Sequence, residues 1–486
     1  MQAMNRTLIR NASIVTMDDA LGELPSGDIL IEGDAIVAVA SSVGSSAGSS
    51  AGSSIAPADA VVVNATGMIA IPGLVNSHIH TWEIALRGIG SDWVGSRDYF
   101  GTLHGNLTHR FEAEDNRIVN LAGALSQIDG GTTTVFDWCH NLRYPEMSDA
   151  AIDGLEASGI RAVFGHGTAK PMFQDKSAKS FTEIGQPRDE VRRLRTGRLA
   201  SDQARITMAL AILGPDWSTY EVTESDIRLA REYGLINSAH TYGRPGKRVA
   251  PDGMWRLQKA GLLGPDHNLV HGNCLADDEL KMIIDAGCSI SATCIAEMMN
   301  CEYPALLGRV ERFGGTPAIG TDVDPYCNAS MLAEMRRCFF HQRELDNAAA
   351  ARAGRHPLPA HATTTRAVLR WATMGGARAL RLNHRIGSIT PGKQADIVLV
   401  RANDLNLFPA LPGGDPVHTV VMNAETSNID SVMIAGQFVK RQGRLVFPEL
   451  RLRQLHAELL AVRERVMARG SYAYRPAEAG ERIFSI

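Results

Sequence analysis

Between Ile69 and Asp322 the chain repeats one pattern eight times, and that repeat constrains the fold more than any other feature. The apolar runs are IAIPGLVNSHIH, GTTTVFDWCH, GIRAVFGHG, ITMALAILGPDW, LINSAH, NLVHGN, SISATCI and TPAIGTD. Several are preceded by helical texture. SDAAIDGLEASG has a polar start, apolar Ile152 and Leu155, and a stop at Gly159. TESDIRLAREYG opens on a Thr223–Asp226 capping pattern and ends at Gly234. ADDELKMIIDAG places Leu280, Ile283 and Ile284 on one face and stops at Gly287. Strands alternating with crossover helices pair in parallel, and eight of them close into a barrel. The expected fold class is therefore α/β, a (β/α)8 TIM barrel.

Strand texture of another kind fills both ends. Leu8-Ile9, Ser13–Val15, Asp28–Ile31 and Ala35–Val39 are separated by Gly and Asp, as hairpins are. ADIVLVR, TVVMNA and DSVMIAGQFVKRQGRLV return to short strands after about Ser388. The two ends are expected to pair into one small β-sandwich domain. The resulting division is 1–70 and 386–447 for the sandwich, 71–385 for the barrel, and 448–486 for a C-terminal amphipathic helix and tail. A Ser/Gly/Ala tract from Ser41 to Ser54 reads as a flexible loop, because its composition buries no apolar surface.

Composition narrows the partners. Lys and Arg number 49 against 53 Asp and Glu, with no long basic run, so nucleic acid is not an expected partner. No stretch of eighteen apolar residues offers a membrane span. The start has no apolar core of a signal peptide. Cys139, Cys274, Cys288, Cys294, Cys301, Cys327 and Cys338 are odd in number and lack a C-x-x-C pair, which favours a reducing compartment. The expectation is a cytoplasmic homo-oligomer acting on a small molecule.

Active-site residues of such barrels sit where strands end. The first strand ends in His78-Ile79-His80, whose alternate positions face one side. The fifth ends in His240, the sixth in His271 and the eighth in Asp322. One such residue alone is more often a hydrogen-bonded core group. Five in barrel register point to a metal site. Imidazoles with one carboxylate suit Zn²⁺, with Fe²⁺ as alternative. Three His and one Asp leave a position for water, whose pKa the ion lowers until hydroxide is available as nucleophile. Asp322 can ligate and accept the water proton, and the fourth His would bond the water or a developing oxyanion.

These motifs resemble the amidohydrolase superfamily, in its triazine hydrolase, guanine deaminase and cytosine deaminase branch. The resembling segments are IPGLVNSHIH, HTWEIALRGIGSDW, VHGNCLADDELKMIIDAG, GTDVDPYCNASMLAEMR and GSITPGKQADIVLV. The resemblance implies one divalent metal held by His78, His80, His240 and Asp322, with His271 beside the water. Two-metal members carry a Lys on the fourth strand; ITMALAILGPDW has none. It further implies hydrolysis of a non-peptide C–N bond (amide, urea, carbamate or ring amine) in a cyclic or aromatic substrate. A triazine-type chlorohydrolase and a non-catalytic scaffold are the alternatives.

One departure matters. Deaminases of this branch carry Glu three residues after the fifth-strand His as a proton shuttle. Here that segment is His240-Thr241-Tyr242-Gly243. Glu83, one turn past His80, is the expected substitute and substrate contact. Trp82, His140, His166 and Tyr242 are the other expected substrate-binding residues. Trp93, Trp138, Trp217 and Tyr326 lie near strand ends as aromatic lining. For Glu297, after the seventh strand, a surface or loop place is the simpler reading.

Overall fold

The computed structural model describes residues 6–41, 59–169 and 180–474. Most of the Ser/Gly/Ala tract lies outside them. Each of the eight apolar runs contributes a strand to one parallel sheet, the first only through its second half because its opening IAIP belongs to Met68–Pro72 of the other sheet: Leu74–Ile79, Thr132–Cys139, Arg161–Gly167, Ile206–Ile212, Ile236–Thr241, His267–His271, Ser289–Ala292 and Ala318–Ile319, each paired with the next. The first and eighth meet through a parallel bridge, Ile79 to Asp322. His80 N donates to Asp322 O at 2.8 Å and Asp322 N to His78 O at 3.0 Å. Below that bridge side chains join the two strands. Asn76 Nδ2 donates to Thr321 Oγ1 at 2.8 Å and Ser77 Oγ to the Ile319 carbonyl at 3.0 Å. The barrel is thus closed by the residues that present His78, His80 and Asp322.

The predicted helices are present with adjusted starts. Pro145–Ser158 ends at Gly159, whose φ of 81° is the left-handed stop a glycine permits. The helix predicted to start at Thr223 starts a turn earlier, at Tyr220, because Thr219 caps it by accepting from Val222 N. Thr223 and Asp226 are buried inside it instead. Thr223 bonds Ser218 Oγ and Asp226 accepts from Gln186 N. Asp277–Asp285 buries Leu280 and Ile283, with Ile284 half-buried.

Both chain ends contribute to one nine-stranded mixed sheet. Met68–Pro72, from the N-terminal part, pairs antiparallel with Ile397–Arg401, from the C-terminal part. Ile9, Ile14, Ile29, Ile31, Ile36, Ile397, Leu399 and Met433 form its own apolar core. TVVMNA, expected as a strand, is helical within Pro416–Asn423. Asp415 accepts from Val417 N and His418 N, and Pro416 stands in the first turn, so capping outweighs the β-branched composition. The C-terminal helix, Glu449–Arg469, buries Leu455, Val462 and Val466 against the barrel side.

His267, on the sixth strand, is enclosed among strand residues beside Asn237. Burial pushes its pKa from 6.5 down to about 4. The unfolded chain therefore takes up a proton between these values that the folded chain refuses. Stability is unaffected above pH 6.5 and falls by up to about 1.4 kcal/mol per pH unit below it, levelling near pH 4. Melting midpoints measured from pH 7 to pH 5 should fall more steeply in wild type than in His267→Gln. Parallel slopes would show that another group sets the acid sensitivity.

Candidate metal centre and its cavity

His78, His80, His240 and Asp322 converge at the mouth of the barrel, with one ligand-type atom from each lying within 4.8 Å of the others. His78 Nε2 is 3.0 Å from Asp322 Oδ1 and 3.2 Å from His240 Nε2; His80 Nε2 is 3.5 Å from Asp322 Oδ1. His80 Nδ1 donates to the Trp138 carbonyl at 2.9 Å, which leaves Nε2 as the lone-pair nitrogen aimed at Asp322. Asp322 and His271 both hold positive φ, 64° and 75°, a costly conformation for non-glycine residues where strands run out. Burial alone would raise the Asp322 pKa, but the bond from His78 and the charges of His271, His78 and His80 hold it well below the usual carboxylate range. Burial lowers that of His78.

The donor set fits a divalent cation. Two ring nitrogens facing each other at 3.2 Å repel unless a proton or cation lies between them. A carboxylate oxygen completes three imidazoles in the combination zinc-type ions prefer. Among the described residues two further groups of metal-ligand type occur: His80 with Glu83 and His140, and Cys294 with Glu334 and Cys338.

The quartet faces a cleft enclosing about 670 Å³, open solvent at its mouth included. His140, Tyr242, His271, Trp138, Trp217 and Tyr326 border it. So do Tyr99, Phe100 and His104, which sequence reading did not single out. Tyr99 ends the short α-helix Gly95–Tyr99 and Phe100 and His104 belong to the π-helical turn that follows it, and no periodicity marked them. Trp82, Glu83 and His166 do not border the cleft. Trp82 is fully buried and its Nε1, a donor only, bonds His140 Nδ1 at 3.1 Å. His140 therefore carries its neutral-ring proton on Nε2. Glu83 accepts from the Tyr99 hydroxyl at 2.7 Å. His166 Nδ1 lies 3.1 Å from Gln186 Oε1, below the rim. Trp82 and His166 turn into the packed layer, since the short helix Thr81–Leu86 is buried along its whole length and Gln186 covers the end of the third strand, whereas the Glu83 carboxyl lies behind the cleft wall within 4.8 Å of ligand atoms of His80 and His140. Trp93 stacks at a tilt on Tyr99 and Tyr326 instead of facing the cleft.

The departure at Gly243 has a structural cause. Its φ is +74°, and a Cβ there would meet Arg248 Nη2, Leu275 Cδ2 and Leu275 N at 2.9 Å each. Asp216 Oδ2, after the fourth strand, accepts from Tyr242 N at 2.8 Å and Gly243 N at 2.9 Å, and so pins this turn. No acid fits at this position. Glu297 is buried, not at the surface. Its carboxyl accepts from Thr293 N at 2.8 Å and faces His271 Nδ1 at 3.1 Å. Burial lowers the His271 pKa, but that bond and the charges of Asp322 and Glu297 outweigh it and raise it overall.

Comparison with known proteins agrees with this architecture. The model of the amidohydrolase family matches residues 69–439. A 5'-deoxyadenosine deaminase of Methanosphaera stadtmanae is 29% identical over 400 residues, covering 79% of this chain and 85% of its own. A 5-methylthioadenosine/S-adenosylhomocysteine deaminase of Caldicellulosiruptor saccharolyticus is 26% identical, covering 90% and 94%. Among solved structures, an atrazine chlorohydrolase of Arthrobacter aurescens with zinc superposes with a TM-score of 0.78 at 24% identity, covering 94% of this chain and 100% of its own. A zinc-bound adenosine deaminase from Xanthomonas campestris gives 0.77 at 24%, covering 95% and 98%. The chain belongs to the amidohydrolase family, and it is a hydrolase.

Proposed function

We propose that the chain uses one divalent ion, Zn²⁺ first and Fe²⁺ as alternative, to hydrolyse a C–N bond of a small, cyclic or aromatic substrate. The observation that carries this reading is the quartet His78, His80, His240 and Asp322, all but His240 buried, with His80, His240 and Asp322 bordering an aromatic cleft. The ion, when bound, supplies an acidified water as nucleophile. Trp138, Trp217, Tyr242 and Tyr326 offer flat apolar walls that exclude bulk water and orient a ring. Asp322 takes the proton released by the water and delivers it to the departing nitrogen, while His271, at the same cleft, accepts a hydrogen bond through its ring nitrogen. His140, its ring orientation set by the bond from Trp82, borders the same cleft. The two curated relatives are named as deaminases of adenine derivatives, which supports an amine as leaving group.

A second reading is displacement of chloride from an aromatic ring. Gly243 favours it specifically, since chloride leaves without protonation and needs no acid there. One screen separates the two. Zinc-loaded protein is offered aminated heterocycles, ureas, amides and chlorinated triazines, and released ammonia, amine and chloride are measured. Chloride without ammonia or amine would overturn the first reading; no product from any class would remove both.

Glu83 supports this site through Tyr99. On a substrate found in that screen, Glu83→Gln, which keeps the acceptor oxygen, should change kcat less than 10-fold. A loss on the order of 10²-fold would instead mark Glu83 as a proton shuttle.

A further inference from the structure

His271 lies nearly parallel to two other rings. Its centroid is 4.8 Å from that of Tyr242 at 17° and 5.5 Å from that of His240 at 20°. Stacked this way, the imidazole keeps two orientations of similar packing, related by a half-turn about Cβ–Cγ that exchanges each nitrogen with a ring carbon. Something must choose between them, because only one presents Nε2 to the cleft.

Glu297 sits where that choice is made. It stands on the short helix Cys294–Asn300, directly after the seventh strand, and is 2% exposed. Its Oε1 is 3.1 Å from His271 Nδ1. The other groups around the carboxyl are donors. Thr293 N and Thr293 Oγ1 reach Oε1 at 2.8 and 3.3 Å, and Asn273 Nδ2 reaches Oε2 at 3.1 Å. Thr293 Oγ1, its own proton given to Glu297, also lies 3.1 Å from His271 Nδ1 as a second acceptor. Two acceptors at one ring nitrogen require a proton on that nitrogen.

We propose that Glu297 is the positioning residue of His271: it holds the imidazole in the Nδ1–H form and so makes Nε2 the acceptor offered to the cleft. Glu297 itself does not border the cleft and touches neither substrate nor metal ligand set. It acts through His271, as a carboxylate behind an imidazole does in other hydrolytic sites. Its place on the chain also matters. With Gly243 unable to carry an acid, this carboxylate is fixed from a different strand end, behind the imidazole and not beside it.

The tautomer stands independently of the reaction; only the consequence for turnover rests on the hydrolase reading. Zinc-loaded protein labelled with ring-¹⁵N histidine is examined by NMR, and the His271 signals are assigned by their absence in His271→Asn. The expected result is a protonated Nδ1, a deprotonated Nε2, and a strongly downfield Nδ1–H resonance. In Glu297→Ala that resonance should disappear or move far upfield while zinc content stays at the wild-type value. A protonated Nε2 in wild type overturns the proposal without any variant, so misfolding of Glu297→Ala does not protect it. An unchanged resonance in Glu297→Ala overturns it equally. On a substrate from the screen, Glu297→Ala should lower kcat about 10- to 100-fold with KM little changed, and Glu297→Asp should recover part of the loss. A correct tautomer with no turnover by any variant would refute the hydrolase reading and leave the positioning role intact.

Discussion

Asp322→Asn is expected to give a folded chain with substoichiometric metal and turnover reduced about 100-fold or more. Asn is the informative replacement. Asp322 holds φ at 64°, a conformation Asn tolerates and Ala does not, so Asp322→Ala would mix backbone strain with ligand loss. The barrel closure at this point runs through backbone groups, Asp322 N to His78 O and His80 N to Asp322 O, which the amide leaves in place. What changes is the anionic oxygen that stands 3.0 Å from His78 and 3.5 Å from His80. Three neutral imidazoles then face a dication without a balancing charge. Metal analysis and turnover on the same preparation check the result. A variant with one ion per chain and unimpaired turnover would show that Asp322 is not a ligand. His78→Ala and His240→Ala should lose the ion in the same way.

The quartet was legible because strand ends announce themselves: a β-branched run that stops in His or Asp has few other readings once several share a register. The nearest layer was not. Glu83, one turn from His80, stands on a buried 3-10 helix with its carboxyl within 4.8 Å of ligand atoms of His80 and His140 and bonded by the Tyr99 hydroxyl. Helical spacing alone cannot distinguish that from a side chain over the cleft. Glu297 stands on the short helix Cys294–Asn300 and Gln186 on a connecting segment, and their importance is a matter of contacts across the fold. TVVMNA failed for a related reason. Its β-branched composition is real, but Asp415 and Pro416 just before it decide the local structure. Propensity yields to a cap when the segment is short. The terminal sheet was legible as a set of strands, while its central pairing, Met68–Pro72 with Ile397–Arg401, joins segments that no local signal connects.

The largest stability effect is expected where that sheet meets the barrel. Arg161 opens the third barrel strand and Asp396 precedes the strand Ile397–Arg401. Both are almost fully buried, and two parallel bonds of 2.9 Å join the guanidinium to the carboxylate. Asp396 Oδ1 also accepts from Ala435 N at 2.8 Å. Asp396→Ala leaves a guanidinium enclosed without its counter-charge and a backbone N–H without its acceptor. Breaking one side of such a pair costs about 3–5 kcal/mol. The pair itself need not be strongly stabilising, because both ions were desolvated to form it. Arg161→Met combined with Asp396→Leu should therefore recover much of the loss seen in Asp396→Ala. Neither residue belongs to the metal quartet or borders the cleft, so the folded fraction of each variant should bind the ion as wild type does. Urea titrations of the single and double variants, with metal content on the same samples, decide the matter. A single variant as stable as wild type would mean that water reaches Arg161 once its partner is removed and that other contacts, Lys440 to Asp129 among them, suffice to hold the two units together.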